Sequence, residues 1–197
     1  MNLPNKITMS RIFLSIFIIV LLLFPIDAMG IVMPKIFVNE TIVVDIKYII
    51  AGVLFIVASL TDFLDGYIAR KYNLITDFGK MIDAIADKIL VNPILIILAA
   101  SGFISPIIPV IIIARDSVVN SIKMIAGSKG QVVAAIKMGK LKTASLMVGI
   151  TLTLFYNLPF ELISLRISDF LLVLAAILSV ISGVKYYMMA KPYLKDR

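Results

Sequence analysis

Six long apolar blocks dominate this chain of 197 residues and constrain its fold more than any other feature. They occupy residues 9–26, 45–70, 79–100, 107–126, 141–158 and 168–190. A helix needs roughly 20 residues to cross the hydrocarbon core of a bilayer. With 61% hydrophobic and 16% charged residues, the composition departs from that of soluble domains. We therefore predict an all-α, polytopic integral membrane protein with six transmembrane helices, folded as a single domain over residues 1–197.

The distribution of basic residues predicts the orientation of these helices. Of the 19 Lys and Arg residues, 15 fall on the side that holds both chain ends. Lys35, Lys47 and Arg166 fall on the other side, and Arg115 lies inside the fourth block. Because loops rich in Lys and Arg stay in the cytoplasm, both termini are predicted to be cytoplasmic. The net charge of +7 then indicates contact with anionic lipid headgroups rather than with nucleic acid.

The first block has a second interpretation, as a secretory signal peptide. Lys6 and Arg11 provide a basic start, and Ala28-Met29-Gly30 has the small residues of a cleavage site. The apolar run is long, and Asp27 crowds the cleavage position. These two features favour a retained transmembrane helix.

Two residue types are missing, and their absence limits the chemistry. Without cysteine the chain has no disulfide, thiol nucleophile or zinc–thiolate site, and without histidine it has no imidazole base. A bound metal would need oxygen ligands, which favours Mg²⁺, Mn²⁺ or Ca²⁺.

Carboxylates line two helical faces at the end of the second block and the start of the third. These faces carry Asp62, Asp65, Gly66 and Ala69, and then Gly79, Asp83 and Asp87. The polar segment between them predicts a turn, so the four carboxylates should face one another near the cytoplasmic surface, with Asp77 outside the group. Carboxylates in a membrane are costly and repel each other, which favours a divalent cation among them.

An ion-pair cluster is the alternative interpretation of these carboxylates. Its cations would be Arg70, Lys71, Lys80 and Lys88. An ion-pair cluster does not explain the small residues on the same faces, since glycine costs up to about 1 kcal/mol in a helix relative to alanine. Space for a flat ligand such as a base or ribose explains them better.

The carboxylate segment resembles the signature of the CDP-alcohol phosphotransferases at Asp62-x2-Asp65-Gly66-x2-Ala69-Arg70-x8-Gly79-x3-Asp83-x3-Asp87. Members of that family are integral membrane enzymes that displace CMP from a CDP-linked donor with an alcohol. Residues 2–11, 111–116 and 139–143 resemble the bacterial phosphatidylglycerophosphate synthases within it. Two positions depart from that pattern, because Ala84 stands where proline is usual and Asp116 where glutamate is usual.

The resemblance implies a reaction and its partners. The expected substrates are CDP-diacylglycerol and sn-glycerol 3-phosphate, and the products phosphatidylglycerophosphate and CMP. The expected cofactor is a pair of divalent ions, Mg²⁺ or Mn²⁺. The family also implies a homodimer in the inner (cytoplasmic) membrane of a bacterial cell, with the active site on the cytoplasmic side.

The resemblance also assigns roles to residues on the donor side. The implied metal ligands are Asp62, Asp65, Asp83 and Asp87. Asp87 is in addition the implied catalytic base. The implied nucleotide- and donor-binding residues are Asp65, Gly66, Ala69, Arg70 and Gly79.

The acceptor phosphate requires separate cations, and Arg115 in the middle of the fourth block is the first candidate. Lys140 and Lys142 are expected to assist it. The alternative for Arg115 is a buried ion pair with a carboxylate of the cluster. Lys123 is expected to be an interfacial residue, and Arg11 is expected, together with Asn5, at the cytoplasmic edge of the site.

Two other functions stay open at this point. The same chemistry can serve another acceptor, such as inositol phosphate, serine or phosphatidylglycerol. From a different class, four intramembrane carboxylates also suit a divalent-cation transporter. The absence of an internal repeat and the position of the carboxylates toward one face of the membrane favour the enzyme.

Overall fold

The computed structural model describes residues 2–25, 34–38, 42–72, 74–131 and 136–194. Within these residues the chain forms six α-helices, one for each predicted block. They are α1 (Leu3–Leu23), α2 (Ile46–Lys71), α3 (Asp77–Ala100), α4 (Ile107–Ser128), α5 (Lys137–Leu154) and α6 (Ile167–Leu194). The helical architecture predicted from the apolar blocks is confirmed.

A small β-hairpin corrects the all-α prediction. Strands β1 (Lys35–Val38) and β2 (Ile42–Asp45) pair antiparallel, with Lys35 opposite Asp45 and Val38 opposite Ile42. Each strand has only four residues and is rich in β-branched side chains, which favour extended backbone. Strands of four residues are much shorter than the roughly 20 apolar residues of a membrane-spanning helix, so the hydropathy pattern does not reveal them.

The fifth helix ends earlier than predicted. It stops at Leu154, whereas the apolar block continues to residue 158. Tyr156 and Asn157 have φ angles of 56° and 55°, in the left-handed region, which ends a right-handed helix. A short 3-10 helix, Phe160–Ile163, follows before α6 begins.

The ends of α2 and α3 are set by polar side chains. Asp45 caps α2, because its Oδ1 accepts a hydrogen bond from the Lys47 backbone N–H. Thr76 caps α3, because its Oγ1 accepts from the Gly79 backbone N–H at 3.0 Å. The second cap fixes where α3 starts and therefore where its carboxylates stand.

The helices pack as two linked groups. α1 packs against both α2 and α3, and α6 packs against α4 and α5, while contacts of α2 with α5 and of α3 with α4 join the groups. The core between them is apolar, and its largest fully buried side chains include Phe55, Leu90, Ile94, Ile112 and Ile150. The candidate cleavage site of the signal-peptide alternative, Ala28-Met29-Gly30, lies outside the described residues.

The surface of the bundle is apolar where a soluble protein would be polar. Phe13 is 66% exposed and Phe170 63% exposed, while Ser15, Ser179 and Ser182 are fully buried. Large outward apolar faces with small polar residues between helices are typical of proteins in lipid. The structure therefore has the character of a membrane protein.

Three helices in the described part of the chain are long and apolar enough to cross a membrane: α1, α2 and the Ile167–Pro192 part of α6. The other three combine an apolar stretch with charged side chains. These charges include Asp83 and Asp87 in α3, Arg115 and Asp116 in α4, and Lys140 and Lys142 in α5. These six belong to the candidate site and contribute to the lower hydropathy of the three helices.

Candidate active site

Three predicted carboxylates converge at the end of the bundle where α2 ends and α3 begins. Asp62 and Asp65 come from α2, and Asp83 comes from α3. Each offers an oxygen, and these oxygens lie within 4.8 Å of one another. Residues three apart share a helix face, which is why α2 contributes two ligands to one point. We call these three residues the carboxylate cluster.

A buried arginine lies inside the carboxylate cluster. Arg11 is 1% exposed, and its NH2 is 3.1 Å from Asp65 Oδ2 and 2.7 Å from Asp83 Oδ1. Its NH1 pairs with Asp62. Arg11 was expected at the edge of the site and instead occupies its centre. The cation among the carboxylates is therefore Arg11 and none of the four that the ion-pair alternative named.

The chemistry of the carboxylate cluster fits a divalent cation. Carboxylate oxygens are hard ligands of the kind that Mg²⁺ and Mn²⁺ prefer. Asp65 is held in place by Thr8, whose Oγ1 donates to Asp65 Oδ2 at 2.8 Å. Arg11 Nε is buried and has no hydrogen-bond partner among the described residues, so the carboxylate cluster leaves one donor of Arg11 unsatisfied. Asp62, Asp65 and Asp83 can hold a metal ion at this point.

A cavity of about 290 Å³ opens beside the carboxylate cluster. All five residues predicted to bind the donor line it, namely Asp65, Gly66, Ala69, Arg70 and Gly79. Asn5 and Thr8 of α1 complete its wall. We call this space the donor cavity.

Gly79 permits a close approach between α1 and α3. A Cβ at this position would lie 2.6 Å from Asn5 Oδ1 and 3.0 Å from Thr76 Oγ1. Asn5 Nδ2 also donates to Thr76 Oγ1 at 3.3 Å. At Gly66 a Cβ would lie 3.3 Å from Arg70 NH1. Gly79 thus allows α1 to approach α3 closely, and Gly66 leaves room for the Arg70 side chain beside the donor cavity.

A second, larger cavity of about 780 Å³ is lined by residues of α3, α4, α5 and α6 and by Phe63 of α2. It brings together the three predicted acceptor cations, Arg115, Lys140 and Lys142, with Asp87. Asp116, Lys123 and Tyr186 also line it. We call this space the acceptor cavity.

Arg115 is held in the acceptor cavity by α6. Its Nε donates to the Ser179 carbonyl oxygen at 2.9 Å and its NH2 to Ser182 Oγ at 2.6 Å. Gly183 makes room for it, since a Cβ there would lie 3.1 Å from Arg115 Cγ. A guanidinium has five N–H groups, so two remain after the bonds to Ser179, Ser182 and Asp116.

Asp116 links two of the acceptor cations. Its Oδ1 accepts from Arg115 NH1 at 2.7 Å, and its two oxygens accept from Lys142 Nζ at 2.8 and 2.6 Å. The ion pair of Arg115 is therefore with Asp116 and not with the carboxylate cluster, which corrects the alternative interpretation. The sequence signal for this role was an adjacent Arg and Asp inside an apolar block.

Lys123 and Tyr186 were not predicted as site residues. Lys123 was expected only at the membrane–water interface. Its Nζ lies 4.7 Å from the centroid of the Tyr186 ring, and both residues line the acceptor cavity. Tyr186 Oη accepts from the Ile136 backbone N–H at 3.2 Å, which steadies the start of α5. The sequence held no periodic signal for this contact because it joins residues far apart in the chain.

Asp83 and Asp87 bring one face of α3 to both cavities. They stand one turn apart on α3, where Asp83 belongs to the carboxylate cluster and Asp87 lines the acceptor cavity. Asp87 lies outside the group of three converging oxygens, and its role as a metal ligand stays a prediction. Its position suits a group that acts on the acceptor.

A family model named CDP-alcohol phosphatidyltransferase matches residues 1–184 of the chain. The chain belongs to this family. The family resemblance seen in the carboxylate segment is confirmed, and the CDP-alcohol phosphatidyltransferase match covers all six helices except the end of α6.

Similar members of the CDP-alcohol phosphatidyltransferase family carry one printed name, CDP-diacylglycerol–glycerol-3-phosphate 3-phosphatidyltransferase. The protein from Bacillus subtilis is 38% identical over 186 residues, which is 94% of this chain and 93% of that protein. The protein from Rickettsia typhi is 34% identical over 193 residues, or 98% of each chain. The protein from Mycoplasma pneumoniae is 35% identical over 154 residues, or 78% of this chain and 68% of that protein.

Proposed function

We propose that this chain transfers the phosphatidyl group of CDP-diacylglycerol to sn-glycerol 3-phosphate, which yields phosphatidylglycerophosphate and CMP. The observation that carries the proposal is that two cavities meet α3 one turn apart, at Asp83 and at Asp87. The donor cavity opens beside the carboxylate cluster, and the acceptor cavity combines three cations with Asp87. The printed name of three relatives that align over most of the chain supports the same reaction.

The donor side is proposed to bind the charged part of CDP-diacylglycerol. Two Mg²⁺ or Mn²⁺ ions held by Asp62, Asp65, Asp83 and Asp87 would neutralise the pyrophosphate and stabilise the departing CMP. Arg70 lies on the wall of the donor cavity and pairs with the donor phosphates. Gly66, Ala69 and Gly79 leave the space that the cytidine and ribose need.

The acceptor side is proposed to hold glycerol 3-phosphate by its phosphate. Arg115 offers two unused N–H groups, and Lys140 and Lys142 add positive charge around the same cavity. Asp87 takes the proton of the glycerol hydroxyl. The hydroxyl oxygen then bonds to the phosphatidyl phosphorus, and the bond from that phosphorus to the oxygen of CMP breaks.

The direct test is an acceptor panel with purified protein in detergent and labelled CDP-diacylglycerol. We expect glycerol 3-phosphate to support CMP release and labelled phosphatidylglycerophosphate formation. Inositol phosphate, serine, phosphatidylglycerol and glycerol should be poor acceptors. Faster turnover with one of these would identify a different acceptor for the same transfer reaction. No CMP release with any acceptor in the panel, glycerol 3-phosphate included, would overturn the proposed reaction.

Gly79→Ala is expected to damage the donor side. The new Cβ would collide with Asn5 and with the Thr76 cap, and overpacking of this kind costs about 1–3 kcal/mol of unfolding free energy. Binding of CMP should weaken roughly fivefold or more, because Asn5 and Gly79 both line the donor cavity. Thermal unfolding in detergent and CMP titration measure the two effects.

Gly127→Ala is the matched control for Gly79→Ala. It makes the same substitution in α4, where a Cβ would meet nothing within 4 Å. Because alanine is the better helix former, stability should stay the same or rise by about 1 kcal/mol. If both variants behave alike, Gly79 has no special packing role.

We also propose that all six helices cross the cytoplasmic membrane of a bacterial cell, with both termini and the active site on the cytoplasmic side, and that the chain forms a homodimer. The balance of basic residues supports the orientation. The beginnings of α1, α3 and α5 and the ends of α2, α4 and α6 would then share the cytoplasmic side. Crosslinking of the purified protein tests the dimer.

Single cysteines test the membrane orientation in this cysteine-free chain. Lys71→Cys and Ser128→Cys should react with an impermeant thiol reagent only after cells are permeabilised. Lys35→Cys and Leu162→Cys should react in intact cells, because the proposed orientation places them outside. The reverse labelling pattern would overturn the orientation, and labelling of all four positions in intact cells would overturn the number of spans.

A further inference from the structure

Arg11 contacts the same carboxylates that would hold a metal ion. One nitrogen, NH2, contacts Asp65 on α2 and Asp83 on α3. A divalent ion held by Asp65 and Asp83 would need oxygens of these same carboxylates as ligands. Arg11 and the metal would therefore compete for this position.

One atom of Arg11 favours its displacement. The side chain is 1% exposed and its Nε has no hydrogen-bond partner among the described residues, so the carboxylate cluster does not satisfy the whole group. A buried donor without a partner costs free energy, which lowers the cost of moving the side chain. An arginine serving only as a permanent brace would be expected to have all its donors satisfied.

We propose that Arg11 is the built-in counter-cation of the carboxylate cluster and that it is displaced when a divalent metal ion binds. Asp62, Asp65 and Asp83 would repel one another without a cation, and Arg11 supplies that cation until the ion arrives. The inference rests on the metal role given to the cluster under the proposed function.

Displacement of Arg11 would also affect the shape of the donor cavity, because α1 carries both Arg11 and residues that line this cavity. Thr8 precedes Arg11 by one turn, donates to Asp65 and lines the donor cavity together with Asn5. A shift of this part of α1 would change the wall against which the nucleotide lies. Metal and donor are thus expected to bind with coupled affinities, each favouring the arrangement in which Arg11 has moved.

Manganese binding without substrate tests the competition. The free Mn²⁺ signal in electron paramagnetic resonance gives the Kd of purified wild type, Arg11→Gln, Arg11→Lys and Lys6→Gln. Arg11→Gln should bind Mn²⁺ about 10- to 100-fold more tightly than wild type, because a charged competitor is lost. Arg11→Lys retains the positive charge on a single nitrogen, so its Kd for Mn²⁺ should lie between the values of wild type and Arg11→Gln.

Lys6→Gln is the matched control. It removes a positive charge from α1 at an exposed position, so its Kd should change less than about threefold. Equal tightening in Lys6→Gln and Arg11→Gln would show a general charge effect and overturn the inference. A weaker Kd in Arg11→Gln would show that Arg11 organises the ligands and would overturn it too.

Thermal unfolding provides a second measurement. In chelator, Arg11→Gln should unfold at a lower temperature than wild type, because three carboxylates have lost their cation. Saturating Mn²⁺ should return its midpoint close to that of metal-loaded wild type. A deficit that Mn²⁺ does not repair would overturn the displacement of Arg11. If wild type, Arg11→Gln and Arg11→Lys all fail to bind Mn²⁺ while CMP release continues in chelator, the metal role fails with it, although the transfer reaction stands.

Discussion

Asp62→Asn and Asp83→Asn are expected to reduce CMP release by at least about a thousandfold. Each substitution removes a charged ligand from the carboxylate cluster, and metal stabilisation of a transition state is worth several kcal/mol. Because the two residues come from different helices, either loss should also weaken Mn²⁺ binding. Steady-state turnover and Mn²⁺ titration of the same preparations measure both effects.

Asp87→Asn is expected to reduce turnover as strongly while it keeps more of the metal and donor binding. Asp87 stands one turn beyond Asp83 and lines the acceptor cavity, and the role proposed for it is removal of the proton from the glycerol hydroxyl. CMP titration and Mn²⁺ titration separate this loss from that of Asp62→Asn. If Asp87→Asn and Asp62→Asn lose Mn²⁺ binding equally, Asp87 contributes to metal binding as much as Asp62 does.

Asp77→Asn is the control for these substitutions. Asp77 lies on the same helix, and its side chain is 98% exposed and paired with Lys80, away from the carboxylate cluster. Its loss should leave turnover within about twofold of wild type, as surface ion pairs contribute little.

EDTA should stop the wild-type reaction, and Mg²⁺ or Mn²⁺ should restore it. Full activity in chelator would exclude the proposed metal mechanism.

Arg115→Gln is expected to lower kcat/KM for glycerol 3-phosphate by about 10- to 150-fold. Charge-assisted hydrogen bonds contribute about 1.5–3 kcal/mol each, and 1.4 kcal/mol corresponds to a factor of ten. The KM for CDP-diacylglycerol should change little, because Arg115 lines the acceptor cavity and does not line the donor cavity. Kinetics with each substrate varied in turn give both constants.

Two further variants separate phosphate binding from packing. Ser182→Ala removes one acceptor that orients Arg115 but keeps the charge, so its effect on glycerol 3-phosphate should be smaller. Lys185→Gln removes a cation from an exposed position on the same helix, α6, and should have little effect. Glycerol should be a poor acceptor for wild type and no worse for Arg115→Gln. If glycerol and glycerol 3-phosphate suffer equally, Arg115 serves only to join α4 to α6.

Local patterns in the sequence predicted most of the fold and the residues of the donor side. Apolar runs of bilayer length predicted all six helices, because a helix in lipid must satisfy its own backbone. The spacing of Asp62, Asp65 and Asp83 predicted convergence, since helical periodicity places such residues on common faces. The hairpin and the early end of α5 escaped this reasoning. The strands were too short for the apolar pattern, and the left-handed backbone at Tyr156 and Asn157 has no hydropathy signature.

Contacts between distant parts of the chain were beyond the same reasoning. Arg11 reaches carboxylates 54 and 72 residues away, and Lys142 reaches Asp116 26 residues away. The sequence showed each charge inside or beside an apolar block, but it did not show which helices would be neighbours. Only the packing of α1 against both α2 and α3 placed a cation among the acids.

The sequence by itself thus determined the helices, the membrane character, the family and the carboxylates that come together in the carboxylate cluster. These depend on the length, periodicity and residue type of continuous segments. The tertiary structure alone decided that Arg11 occupies the carboxylate cluster, that Asp116 joins Arg115 to Lys142, and that two cavities meet α3 one turn apart. Those features depend on which helix faces pack together, and many packings of six apolar helices are compatible with one pattern of hydropathy.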